Sequence, residues 1–168
     1  MITPAQIERY ARLGFDFTAS MSFIWGKGDM IEERMGPLAL RDLVPLARLL
    51  RSGMTVGLGS DWGPKNAPFE HMEIAQSHRF GGSARLDTSP DHGVTRLQAL
   101  QLWTRDVGRA IRWDGVGTLA PGAHGDPIVL DRDPLTCELD ALRHTRVLLT
   151  LLGGSVVHDA GVLMPARV

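Results

Sequence analysis

Thr55-Val56-Gly57-Leu58-Gly59-Ser60-Asp61-Trp62-Gly63 decides the fold of this chain. A short run of small and apolar residues ends abruptly on a carboxylate, Asp61, with glycines on both sides. Such a run reads as a strand. In a parallel α/β protein the carboxyl ends of the strands face the ligand site. Asp61 is therefore a candidate metal ligand or proton acceptor. It is equally a residue type that caps a turn or helix.

Upstream, Thr3-Pro4-Ala5-Gln6 signs a helix start: Thr3 can cap, Pro4 suits the first helical position and Gln6 completes a capping box. Gly14 ends that helix. Phe15 to Met21 alternates apolar and polar, a strand pattern. Ser22 to Gly36, with Trp25, Gly26 and Gly28, reads as a long connection with a helical turn near Ile31. Leu38 to Ser52 reads as helix, its main part opened by Pro45 and its buried stripe made by Leu46, Leu49 and Leu50. The order helix, strand, helix, strand predicts parallel strands.

Downstream, Phe69 to His78 reads as a short helix and Arg79 to Asp91 as a loop. Thr95 caps a helix that the apolar spacing extends through Ile111, with Trp103 and Trp113 placed in the core. The texture changes after Trp113. Pro127 to Leu130 is a short strand, and Arg146–Leu152 and Ser155–His158 are two more, joined by the hairpin signal Gly153-Gly154. A boundary near residue 113 divides an α/β part, 1–113, from a small β part, 114–168.

Composition narrows the function. The chain has 168 residues with 18 basic and 19 acidic side chains, a net charge of −1. That balance gives no electrostatic case for nucleic acid or an anionic membrane. No apolar run approaches the roughly 20 residues of a membrane span. A cytoplasmic location is the expectation. The single cysteine, Cys137, rules out an intrachain disulfide or a cysteine-based zinc site and has no activating neighbour in sequence. Six histidines are present, none in a His-x-His or HExxH pattern. His71 and His78, seven apart, could share a helix face and bind a metal, but two imidazoles without a third ligand are expected on a solvated helix surface. Gly57-Leu58-Gly59 lacks the third glycine of a dinucleotide fingerprint, and Ser60 lacks a nucleophile elbow. Trp25 and Trp62 fall near strand ends and are candidate substrate contacts.

Two stretches together carry a resemblance. Val56-Gly57-Leu58-Gly59-Ser60-Asp61 resembles the last barrel strand of amidohydrolase-superfamily enzymes. Thr118-Leu119-Ala120-Pro121-Gly122-Ala123-His124-Gly125-Asp126-Pro127-Ile128-Val129-Leu130 resembles their return into a small β-domain, usually G-x-L-x-P-G-x-x-A-D-hydrophobic. Asp131-Arg132-Asp133-Pro134-Leu135-Thr136-Cys137 and the Ile2-Thr3-Pro4 opening are similar to the amidohydrolase 3 group, that of YtcJ-like proteins and N-substituted formamide deformylases. Gly125 and Pro127 depart from the usual alanine and aliphatic residue.

The resemblance implies the C-terminal part of a (β/α)8 TIM barrel, strands seven and eight with their helices, followed by the C-terminal strands of a β-sandwich. It implies a divalent metal, zinc, and a small-molecule substrate with a non-peptide C–N bond. It gives Asp61 two roles, metal contact and proton carrier from the attacking water to the leaving nitrogen. The family's His-x-His and its other barrel ligands have no counterpart here, and a whole barrel takes about 250 residues. The expectation is therefore a fragment that starts after the sixth strand, is inactive alone and holds no metal stably. The alternative is a non-catalytic α/β module acting through self-association or by pairing with a separate N-terminal half.

Overall fold

The computed structural model describes residues 1–61, 67–86 and 92–163. Its first element is the helix α1, Pro4–Arg12, closed by the capping box: Thr3 N–H donates to Gln6 Oε1 at 2.8 Å and Gln6 N–H to Thr3 Oγ1 at 3.4 Å. Strand β1, Phe17–Ala19, pairs in parallel with β2, Val56–Leu58, in the register Phe17↔Val56 and Ala19↔Leu58. All three residues of β2 are buried.

The connection between them is more helical than its glycines suggest. Ser22–Met35 is one helix, α2, where a long loop was expected. Gly28 is a contact residue rather than a breaker: a Cβ there would stand 2.7 Å from Phe80 Cδ1. Gly36, at φ +82°, ends the helix. The expected helix over Leu38–Ser52 is split into a 3-10 segment, Pro37–Asp42, and α3, Leu46–Arg51. Pro45 caps α3, and Leu46 and Leu49 are fully buried.

Helix α4, Pro68–Ser77, buries six of its residues from Phe69 to Ala75, His71 among them. His71 and His78 are 0% and 1% exposed, which corrects the solvated surface expected for them. The helix expected from Thr95 to Ile111 breaks into α5, Arg96–Trp103, and α6, Arg105–Ala110. Thr104 makes the break. Its hydroxyl donates back to Leu100 O at 2.9 Å, and its backbone leaves the helical region at φ −124°, ψ −94°. Gly117 then sits so close that a Cβ would lie 2.3 Å from Thr104 O. The kink lays α6 on β2: a Cβ on Gly57 would meet Val107 Cα at 2.8 Å. Trp103 packs against the core, whereas Trp113 is 59% exposed, contrary to expectation, with its ring edge-on to His124.

The C-terminal sheet has the order β3-β4-β5, all antiparallel, with β3 at Ile128–Leu130, β4 at Val147–Leu152 and β5 at Ser155–Asp159. Gly153 and Gly154 turn the hairpin at φ +57° and +80°, as a two-residue connection of this hand requires. Asp131 anchors the start of β4: it accepts from Arg132 and Arg146 side chains and from Arg146 N–H. Those bonds, the Arg132 one foremost, hold its carboxyl well below the usual range. A short helix absent from the sequence reading, α7 at Leu139–Leu142, sends Leu142 into the same core as α4. No described helix is long and apolar enough to cross a membrane.

Candidate active site at the end of the second strand

The parallel ladder determines where Asp61 stands. Phe17 N–H donates to Thr55 O at 2.8 Å, and Gly59 N–H donates to Ala19 O at 2.9 Å. Beyond Gly59 the first strand turns into α2, so no further backbone rung forms from it. Side chains take over. Ser20 Oγ donates to Ser60 O at 3.0 Å and Ser22 Oγ to the same oxygen at 3.3 Å. Ser22 N–H in turn donates to Ser20 Oγ at 3.2 Å. The chain then swings at Asp61, whose φ is +53°. Non-glycine residues rarely adopt that value, and Asp is among those that tolerate it best.

The swing leaves Asp61 exposed at the carboxyl end of β2. It lines a cavity of about 330 Å³ together with Thr18, Ala19, Ser20, Phe23 and Gly59. A second cavity of about 370 Å³ adjoins it through Thr18, Ala19, Ser20 and Phe23, and runs along β1 to Ile2 and Tyr10. Phe23 therefore stands in both spaces, 43% exposed, with Lys27 Nζ 5.9 Å from its ring centre. Trp25, one residue pair further along α2, is half-buried; its carbonyl accepts from Gly81 N–H at 2.8 Å, and it is not among the residues around the Asp61 cavity. Trp62 lies outside the described residues.

Behind the site lies His71. Its Nε2 is 3.4 Å from Ser22 Oγ, and its ring meets Trp103 edge-on at 5.4 Å between centres. Ser20, Ser22 and Phe23 have no motif spacing and were not singled out in sequence, and His71 was expected on a solvated surface. The one available signal was the Ser20-Met21-Ser22 pair ending a predicted strand next to a second strand that ends in Ser60-Asp61.

Among the described residues, no group of three or more His, Cys, Asp or Glu side chains could hold an ion. A catalytic zinc takes three protein ligands. Asp61 supplies one carboxylate, and the buried histidines stand elsewhere. The described residues thus do not form a metal centre by themselves.

A family model described as the amidohydrolase family matches residues 1–158. This chain belongs to the amidohydrolase family. It is 32% identical over 157 residues to an N-substituted formamide deformylase of Arthrobacter pascens, covering 92% of this chain and 29% of that enzyme. A metal-dependent hydrolase of Pyrococcus horikoshii OT3 superposes with a TM-score of 0.72 at 22% identity, over 83% of this chain and 29% of that one. Atrazine chlorohydrolase of Arthrobacter aurescens TC1, crystallised with zinc, superposes with a TM-score of 0.64 at 22% identity, over 98% of this chain and 36% of that one. The two superpositions speak to the amidohydrolase fold, here a mixed α/β arrangement. The chain spans about 29% of the length of the formamide deformylase it matches.

Proposed function

We propose that this chain carries the Asp61 side of a metal-dependent hydrolase site acting on non-peptide C–N bonds, such as N-acyl or formamide groups. The observation that carries the reading is the placement of Asp61. It is a lone carboxylate at the carboxyl end of a buried parallel strand, open to a cavity, in a chain matched to the amidohydrolase family over residues 1–158. In this reading β1 and β2 are strands seven and eight of a (β/α)8 barrel. Residues 1–113 are the barrel part and 114–168 part of the β-sandwich.

The chemistry this chain supplies is proton transfer. The Asp61 carboxylate takes a proton from a water molecule as its oxygen adds to the substrate carbonyl carbon. It returns that proton to the leaving nitrogen as the C–N bond breaks, giving a carboxylic acid and an amine. Such positioned proton transfer is worth about 10²- to 10⁴-fold in rate. Phe23 offers an apolar wall to the group on nitrogen, with Trp62 following Asp61 in sequence and Trp25 on the same helix as Phe23. No three-donor group stands among the described residues, and in this account the 168-residue chain alone is inactive.

A chimera tests the reading: residues 1–158 replace the matching segment of the Arthrobacter pascens enzyme. Hydrolysis of N-substituted formamides by a folded chimera supports it. A folded, zinc-loaded chimera without hydrolysis of any C–N substrate contradicts it.

A second reading has its own observation. The β1–β2 sheet has two strands among the described residues, and an apolar cavity runs along the β1 side. An open edge of this kind favours pairing with another strand. Self-association, or pairing with a separate N-terminal half, follows; light scattering that finds a monomer at all concentrations argues against the first.

A further inference from the structure

We propose that Ser20, Ser22 and His71 are positioning residues that set the direction of the Asp61 carboxylate. The inference rests on the reading of Asp61 given above.

Two hydroxyl donors converge on one carbonyl, Ser60 O, at 3.0 and 3.3 Å. A carbonyl oxygen has two lone pairs, so both are used. This carbonyl belongs to the peptide that joins Ser60 to Asp61. Fixing its plane fixes the direction of the Asp61 N–Cα bond, and that bond together with the φ of +53° sets where Cβ points. Asp61 sits at φ +53°, a conformation that persists in a non-glycine residue only when the surroundings over-determine it. The serine pair is such a constraint, because Ser20 and Ser22 are 6% and 8% exposed.

Proton bookkeeping extends the set to His71. A hydroxyl has one proton. With the Ser22 proton directed to Ser60 O, the 3.4 Å contact with His71 Nε2 is one in which the imidazole donates. The proposal accordingly places hydrogen on His71 Nε2. The ring is fully buried on α4 and is held edge-on by Trp103 of α5. Donation then runs one way, from His71 to Ser22 to the Ser60 carbonyl. Three helices, α2, α4 and α5, thereby control a loop that none of them contains. The arrangement does not touch the reacting atoms, and its effect on rate passes through Asp61.

The test uses the whole 168-residue chain labelled with 13C and 15N. The imidazole 15N shifts of His71 are expected to show hydrogen on Nε2. A ring protonated at Nδ1 alone overturns the proposal, because Ser22 would then donate to His71 and not to Ser60. This measurement needs no substitution and stands even if a variant fails to fold. In Ser20→Ala/Ser22→Ala the Ser60 carbonyl 13C signal is expected to move and the Asp61 amide–Hα coupling to change, with the α1 and β4–β5 signals in place. Unchanged Ser60 and Asp61 signals overturn it. Ser22→Thr, which keeps the hydroxyl, is expected to restore them.

In the chimera, Ser20→Ala/Ser22→Ala is expected to lower kcat roughly 10- to 100-fold with KM little changed, as misplacement of a reacting group does. A rise in KM with kcat intact overturns the positioning role. The spectroscopic arm does not depend on what Asp61 does, so the two ideas fail separately.

Discussion

Glu73 on α4 meets Arg143, just beyond α7, at 3.0 Å, with the Glu73 side chain 1% exposed. Arg79 approaches the same carboxylate at 3.8 Å, and Ser77 Oγ donates to it at 3.1 Å. The pair ties the helix that carries His71 to the segment that precedes β4. Removing Arg143 takes away the nearest cation and leaves the buried Glu73 carboxylate with Arg79 at 3.8 Å and the Ser77 hydroxyl. Arg143→Ala is therefore expected to cost about 3 kcal/mol of stability, and Glu73→Gln/Arg143→Met less than the single change. Chemical denaturation of the three proteins checks this; an Arg143→Ala loss below about 1 kcal/mol, the level of a surface pair, contradicts it.

Gly57 lies in the stretch that organises the chain, and its reason is steric. A Cβ would stand 2.8 Å from Val107 Cα, which is backbone and cannot turn aside. Gly57→Ala is expected to destabilise by about 1–3 kcal/mol through overpacking, and Val107→Ala is not expected to relieve it. A thermal melt at the wild-type temperature would contradict the packing of α6 on β2.

What the residues disclosed and what they hid follow from range. Thr3 with Gln6 and Thr95 with Gln98 are local capping boxes, and both form. Gly153-Gly154 is a local turn, and the hairpin forms. The parallel pair was legible because β1 and β2 each carry their own pattern. Three of the misreadings needed a distant partner. Gly28 looks like a loop residue until Phe80 is placed against α2. His71 looks like a surface residue until Ser22 and Trp103 close over it. Thr104 sits in an unbroken apolar period and kinks where Gly117 packs. At the site, Asp61 was legible as a carboxylate ending a strand. The serines that hold Ser60 were not, because their spacing of 40 and 38 residues is set by the fold.

Acid should loosen the segment after α4. Asp29 accepts from Ser83 Oγ at 2.6 Å and Ser83 N–H at 2.9 Å, clamping Gly82–Arg85 onto α2. The Ser83 hydroxyl first, then the Ser83 amide, Arg85 and the Gly82 amide, hold its carboxyl below the ordinary value. A depressed native value means the contribution is complete above the unfolded value of about 3.9 and is lost as pH falls through the lower folded one. Exchange of the Ser83 amide is expected to speed up relative to α1 amides below about pH 4, and Ser83→Ala is expected to raise the Asp29 titration toward its ordinary value. An Asp29 titration unmoved by Ser83→Ala contradicts the clamp.

The isolated chain should hold no catalytic zinc. Asp61 is a single carboxylate, and no three-donor group exists among the described residues. Elemental analysis after dialysis is expected to find well under one zinc per chain, and N-substituted formamides are expected to survive incubation with it. One tightly held zinc per chain with turnover would place the missing donors within these 168 residues and overturn the account of an incomplete site.

The central claim, that Asp61 is the proton-carrying carboxylate of a hydrolytic site, is tested most directly by kcat of the chimera with Asp61→Asn. The amide keeps the shape and loses the proton acceptor. The account predicts a fall of about 10²-fold or more per bound zinc, with the fold retained. An Asp61→Asn chimera that turns over within about threefold of its parent, at any pH, would contradict it.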